Sequence, residues 1–288
     1  MQRRQFLHLL LAAPLVALTA ATACARTDAA AALTALQTRS GGRLGVAALD
    51  GGNGRRVAFN ADARFPLCST WKLLAVAMLL ARARHGALDL ERSVHYTQAD
   101  LVSWSPVTTA QLARGMSLRE LARAAIEQSD NTAGNLLLRT LGGPAALTAW
   151  LRTQGDAHTR LDRYETALNE AVPGDLRDTT TPTAYLHDLQ RILLGDALDS
   201  AARTQLLRWM QASTTGLALL RAGMPPHWQG GDKSGAGEHG TRNDVALLQP
   251  PQRAPLLVSA FLTGSTLPAP QRDGVLAAVT RIVLPALT

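Results

Sequence analysis

Apolar positions alternate with small or polar ones over 43–50 and again over 55–60, and the Gly51-Gly52-Asn53-Gly54 run between them reads as the turn of a β-hairpin. From residue 69 the period changes. Apolar residues recur at helical spacing over 69–85, 117–128, 132–141, 144–153, 182–194 and 199–211, with glycine, proline or polar breaks between them. Several boundaries carry their own chemistry: Ser117-Leu118-Arg119-Glu120 is a capping box, Thr181-Pro182 sets an N-cap before a first-turn proline, and Gly142-Gly143 stops a helix. Strand-like runs return at 231–235, 242–248 and 255–262, and an amphipathic helix over about 271–284 closes the chain. Strands, then helices, then strands predict an α/β domain (26–62 and 212–288) whose sheet takes strands from both ends, with an all-α domain (63–211) inserted into it. The seam between two such domains is a favoured place for a binding cleft.

The first 25 residues read as a targeting segment rather than as part of the fold. Arg3-Arg4-Gln5-Phe6-Leu7 precedes an apolar stretch that ends near Ala23-Cys24-Ala25, a small-residue cleavage site, and the arginine pair resembles a twin-arginine export signal. A membrane anchor is the competing reading, but the stretch is short and interrupted by His8 and Pro14. Lipid attachment at Cys24 is the weaker alternative, because Ala21-Thr22-Ala23 is a poor recognition sequence for it. Export to the periplasm leaves Cys68 as the single cysteine, so no intramolecular disulfide is available and stability has to come from the core.

Composition narrows the chemistry. The chain has 288 residues, 47% of them hydrophobic, which is enough for a full core. Its net charge of +7 is almost all guanidinium: 27 of the 29 basic residues are arginine. They are scattered, and only 4% of residues are aromatic, which argues against a nucleic-acid partner. The seven histidines show no HxH or HExxH spacing, so no metal site is expected. The two lysines, Lys72 and Lys233, are therefore the first places to ask where an amine is chemically needed.

Lys72 follows Ser69 by three residues at the start of a run, Leu73 to Leu80, that is apolar on all sides and so predicts a buried helix. Residues i and i+3 share a helix face, so the amine can reach the Ser69 hydroxyl and activate it, while the free amides and dipole of the helix N-terminus favour anionic oxygen nearby. An isolated Ser-x-x-Lys is more often a cap and a surface lysine. Lys233 lies in Asp232-Lys233-Ser234-Gly235 on a predicted strand, where ammonium and hydroxyl suit a carboxylate. Ser129-Asp130-Asn131 joins two predicted helices and offers a proton-relaying hydroxyl and a carbonyl-binding amide, although a capped turn would look the same.

Taken together, Phe65-Pro66-Leu67-Cys68-Ser69-Thr70-Trp71-Lys72, Ser129-Asp130-Asn131 and Lys233-Ser234-Gly235 resemble the active-site serine penicillin-recognising enzymes. Arg163-Tyr164-Glu165-Thr166-Ala167-Leu168-Asn169 is similar to the E-x-x-L-N element of the class A β-lactamases in that group. The likeness continues through Gly142-Gly143-Pro144, Arg177-Asp178, Thr181-Pro182 and Arg242-Asn243-Asp244. It implies an antiparallel sheet flanked by helices with an inserted all-α domain. It also implies hydrolysis of the β-lactam amide of penicillins and cephalosporins through a serine acyl-enzyme, with antibiotic resistance as the result. A peptidoglycan D,D-peptidase would share every motif except the Glu165 element, and a non-turnover β-lactam sensor, which would acylate once and stay so, finds no transmembrane or signalling segment here to support it.

The resemblance also assigns roles. Ser69 is the nucleophile, and the backbone N–H groups of Ser69 and Ala236 form the oxyanion hole. Lys72 and Glu165 compete for the part of acylation base, and Ser129 passes a proton to the leaving nitrogen. Glu165 and Asn169, one turn apart, hold the hydrolytic water between them. Lys233, Ser234 and Arg242 take the substrate carboxylate, Asn131 the side-chain amide, and Trp104 forms an aromatic wall, although a tryptophan is as readily a core residue. Arg163 and Asp178 pin the Glu165 loop as an ion pair. Small β-lactams are the implied partners, with no metal or other cofactor, no membrane span after processing, and a monomeric state. Some carbapenem-hydrolysing relatives bridge the cysteine before the nucleophile to one beyond the Lys-Ser-Gly strand; Gly237 lies there, so no bridge is expected.

Overall fold

The computed structural model describes residues 28–84 and 86–288, so the expected export signal and Cys24 lie outside the described residues. Helix α1, over 28–40, leads into the hairpin of β1 (Arg43–Asp50) and β2 (Arg56–Phe59), in which Val46 pairs with Phe59. Its turn is tied by the Asp50 carboxylate, which accepts from the amides of Gly52 and Asn53. The chain then forms β3 (Phe65–Pro66), α2 (Trp71–Arg84), β4 (Ser93–Val94), α3 (Pro106–Ala110), β5 (Met116–Ser117), α4 (Leu118–Glu127) and α5 (Asn131–Thr140). It continues through α6 (Pro144–Thr153), β6 (Thr179–Thr180), α7 (Pro182–Leu193) and α8 (Ser200–Gln211). It ends in β7 (Gln229–Gly237), β8 (Thr241–Gln249), β9 (Leu256–Thr263) and α9 (Ala269–Leu287).

Strands from both ends do share one sheet, in the order β2-β1-β9-β8-β7, and every neighbouring pair is antiparallel. Period-two alternation then divides the core. Leu44, Val46 and Ala48 of β1, with Val258, Ala260 and Leu262 of β9, pack against α1 and α9. Ala47 and Leu49, with Val245, Leu247, Leu257 and Phe261, face the opposite way and join the core of the helical block. That block is built around α2, which is buried from Trp71 through Leu80 as its unbroken apolar run predicts.

The expected caps form as well. Ser117 Oγ accepts from the Glu120 amide while the Glu120 carboxylate accepts from the Ser117 amide, and Thr181 Oγ1 accepts from the Ala184 amide. Gly142 and Gly143, with φ of 98° and 87°, follow Leu141 and end α5. What the hydrophobic pattern does not reveal is short: α3, the two-stranded ribbons β3–β6 and β4–β5, and the 3-10 turns. Pieces of two to five residues carry too few positions for a period to emerge.

Candidate active site

The site forms where α2 and the α4–α5 turn, from the helical block, meet β7. Ser69 sits in a 3-10 turn, Cys68–Thr70, that runs directly into α2. The turn is held by Thr70 Oγ1, which donates to Leu67 O, and by the buried Tyr185 hydroxyl, which donates to Thr70 O. One turn on, Lys72 is fully buried. Its Nζ lies 2.9 Å from Ser69 Oγ, 2.8 Å from Ser129 O and 3.1 Å from Glu165 Oε1, and it also donates to Asn131 Oδ1. Room for the lysine stem comes from Gly134 on α5, where a Cβ would meet Lys72 Cε at 2.9 Å.

Glu165 approaches from the loop between α6 and β6. Its Oε1 accepts the Ser69 hydroxyl at 2.9 Å and the Trp71 indole N–H at 3.1 Å, and its Oε2 accepts the Asn169 amide at 2.6 Å. The other end of that amide, Asn169 Oδ1, is buried without a protein partner. Burial alone would raise the Glu165 carboxyl, but the Lys72 ammonium and the donors around it hold it below the usual carboxylate range. Burial lowers the Lys72 ammonium, and the Glu165 carboxylate only partly offsets that. At neutral pH the carboxylate is therefore ionised and placed to take the serine proton.

The Ser129-Asp130-Asn131 turn faces the nucleophile from the other wall. The capped turn that its sequence allowed is formed. Asp130 is the N-cap of α5 and also accepts from the amides of Val107 and Thr108, which fixes the turn. Ser129, held at a φ of 55°, places its Oγ 3.0 Å from Lys233 Nζ. Asn131 is engaged at both ends, donating to Ser103 O at 2.7 Å and accepting from Lys72.

On β7, Lys233 is fully buried, and burial with the nearby Lys72 ammonium pulls its own ammonium down to about 7. Ser234, Gly235 and Ala236 line the cleft, as do Ser69, Asn131, Asn169 and Arg242, which reaches in from β8. The cleft measures about 580 Å³. Trp104 also lines the cleft, 64% exposed, with its indole N–H donating to Gln128 O, so it is not a core residue. Arg163 and Asp178 lie beneath the loop and do not line the cleft. They meet at 2.6 Å with Asp178 fully covered, and Asp178 also accepts from the amides of Asp162 and Arg163. Cys68 is buried and unbridged; a Cβ at Gly237 would meet its sulfur at 2.7 Å and Asn169 O at 2.8 Å.

Residues 28–287 match the sequence model of the β-lactamase enzyme family. The chain belongs to that family. It is 49% identical over 252 residues to β-lactamase AST-1 of Nocardia asteroides, covering 88% of this chain and 81% of that protein. It is 45% identical over 255 residues to β-lactamase OXY-2 of Klebsiella oxytoca, covering 88% of each. Among solved structures, an ancestral class A β-lactamase superposes with a TM-score of 0.89 at 54% identity, covering 90% of this chain and 100% of that one. The protein is a class A serine β-lactamase.

The geometry of this β-lactamase includes residues that the sequence reading passed over. Asn135 on α5 grips the Glu165 backbone twice, accepting from its N–H and donating to its C=O, both at 2.9 Å. Trp71 is not only a core residue, since its indole N–H reaches the Glu165 carboxylate. Arg221 pairs with the buried Asp232 at 2.9 Å beneath the Lys233 strand, and Arg242 is oriented by Asp273 of α9 at 2.6 Å. The dipeptide Thr214-Thr215 lines the cleft as well. Asn135 carried one weak signal, a polar residue directly before the buried Leu136-Leu137-Leu138 run; Arg221, Asp273 and Thr214-Thr215 carried none.

Proposed function

We propose that this β-lactamase hydrolyses the β-lactam amide of penicillins and cephalosporins through an acyl-enzyme on Ser69, the activity by which its family confers antibiotic resistance. The observation that carries the reading is the short bond from the Ser69 hydroxyl to Glu165 Oε1, with the Lys72 ammonium donating to the same serine oxygen. The direction of those two bonds favours Glu165 as the group that receives the serine proton, with Lys72 steadying the developing alkoxide. Ser69 Oγ adds to the lactam carbonyl, whose oxygen takes the backbone N–H groups of Ser69 and Ala236. As the C–N bond breaks, Ser129 supplies the proton to the departing nitrogen and is re-protonated by the Lys72 ammonium, which recovers the serine proton from Glu165, so that Glu165 is a carboxylate again and both lysines are unchanged. Lys233, Ser234 and Arg242 hold the substrate carboxylate, and Asn131 and Trp104 contact its side chain.

The acyl-enzyme is an ester and needs an activated water. Asn169 Oδ1 and the Glu165 carboxylate are acceptors one short turn apart, suited to holding a water that Glu165 deprotonates for attack on the ester. Arg163 and Asp178 pin the loop that carries this pair. The same reading takes residues 1–25 as a twin-arginine export signal to the periplasm, 26–62 with 212–288 as the α/β domain, 63–211 as the all-α domain, and the enzyme as a monomer. Among the described residues no helix is long and apolar enough to cross a membrane.

Mixing the protein with a chromogenic cephalosporin while following colour and intact mass tests the mechanism. Many turnovers are expected; one stoichiometric burst with a lasting adduct would identify an enzyme that acylates without hydrolysing. Glu165→Gln is expected to slow deacylation by about 10²- to 10⁴-fold and to accumulate the adduct mass. Unimpaired turnover in that variant would remove Glu165 from the mechanism.

A further inference from the structure

The loop between α8 and β7 crosses behind the carboxylate end of the cleft, and both of its sides are anchored. Thr214 donates from its backbone to Glu127 O at 3.0 Å and from its hydroxyl to Gln128 Oε1 at 3.2 Å, which ties the loop to the C-terminal end of α4. Ser213 Oγ donates to the buried carboxylate of Asp232 at 3.2 Å, which ties it to β7. Thr215 lies next in the chain and lines the cleft. Its Oγ1 accepts the Ser234 hydroxyl proton at 2.7 Å. Among the described residues Thr215 donates its own proton to no protein acceptor.

This arrangement leaves Ser234 satisfied but turned away from a ligand. A serine hydroxyl has one proton, and here it is directed at Thr215. Serine also lacks the second branch at Cβ that would confine its χ1, so its hydroxyl can turn to a better acceptor when one arrives. A carboxylate is such an acceptor. When the Ser234 proton swings to it, Ser234 Oγ needs a donor behind it, and the free proton of Thr215 is within reach.

Resting on the carboxylate reading of Lys233, Ser234 and Arg242, we propose that Thr215 is a positioning residue for substrate recognition, forming with Ser234 a two-hydroxyl relay that reverses direction when the anionic substrate binds. At rest the bonds run Ser234 to Thr215. With substrate they run Thr215 to Ser234 to carboxylate, and a hydroxyl that accepts one bond donates a stronger one. No proton leaves either residue. Thr215 thus tunes recognition of the substrate's anion without touching the reacting carbonyl.

Steady-state kinetics on Thr215→Val, Thr215→Ser and Ser234→Ala test the relay, with a carboxylate-bearing cephalosporin and its methyl ester as paired substrates. For Thr215→Val the expected result is a rise in KM of about fivefold on the carboxylate substrate, with kcat within about twofold and no change on the ester. Thr215→Ser, which keeps the hydroxyl, is expected to restore the wild-type KM. Thr215 is half-buried, so the valine variant is expected to fold; Thr215→Ala serves the same purpose should it not. If Ser234→Ala raises KM on the carboxylate substrate while neither Thr215→Val nor Thr215→Ala does, the relay is wrong and the carboxylate subsite stands. An equal rise on acid and ester would reduce Thr215 to a packing residue and overturn the proposal. If Ser234→Ala is also silent, the carboxylate subsite itself fails.

Discussion

The two lysines are both fully buried in the active site, and their side chains converge on the Ser129 hydroxyl, Lys233 at 3.0 Å and Lys72 at 3.4 Å. Arginine could not replace either. Its planar fork is larger, and its proton is not removable at any pH the enzyme meets. Burying two amines costs stability, which gives a pH signature. The ordinary value for Lys233 is 10.5 and the folded protein brings it to about 7. Between those values the unfolded chain holds a proton that the folded chain has released, so this residue's contribution to stability rises as pH climbs from about 7 to about 10.5. Below 7 its penalty is full and constant. Lys233→Met is therefore expected to be more stable than the parent at pH 7, by on the order of 2 kcal/mol after its lost hydrogen bonds are set against the relieved burial. That advantage should shrink toward pH 10. Denaturant titrations at the two pH values measure it, and a gap that widens with pH would contradict the assignment.

At the level of elements, the Glu165 loop shows what spacing can and cannot convey. The Arg163–Asp178 pairing was expected from the resemblance to the class A enzymes, since two charges flanking a loop could equally be solvated. Its surroundings refine the expectation: Arg163 also meets Glu170 at 2.6 Å, so removing the Asp178 charge does not strand the guanidinium. Asp178→Asn is accordingly expected to lose about 1–3 kcal/mol, less than the roughly 3–5 kcal/mol of a broken isolated buried pair. Deacylation should slow before the fold is lost. Thermal unfolding and single-turnover mass measurements test this together, and no change in either would refute it. Asn135 was not legible as a partner of Glu165, because the two are 30 residues apart and nothing local in α5 marks one polar side chain as facing a distant loop.

For the molecule as a whole, the five-stranded sheet separates two apolar clusters, one shared with the helical block and one covered by α1 and α9. Strands β1, β8 and β9 each contribute alternate residues to both, so neither side can lose its packing without disturbing the other. Cys68 lies where the turn before α2 meets β7, fully covered, and burial pushes its thiol well above its usual range. The Cys68 peptide is expected to resist alkylation in the native protein and to become modified in step with loss of far-UV circular dichroism. Modification well ahead of that loss would mean that the start of α2 opens on its own.

The sequence by itself determined the order of the longer elements and their caps, and its motifs carried the resemblance that named the site residues. These depend on signals that act over a few residues: a period of 2 or 3.6, a side chain reaching its own helix end, a serine and lysine one turn apart. Tertiary structure alone decided which way the protons point. Ser69 meets Glu165 across 96 residues and Lys233 meets Ser129 across 104, so these contacts depend on how β7 is registered against β8 and how the helical block is seated on the sheet. The same seating turns Asn131 between Ser103 and Lys72 and sets Thr215 behind Ser234. Hydrogen bonds weaken steeply when misaligned, and no local pattern specifies an alignment made by two elements folded separately in the chain.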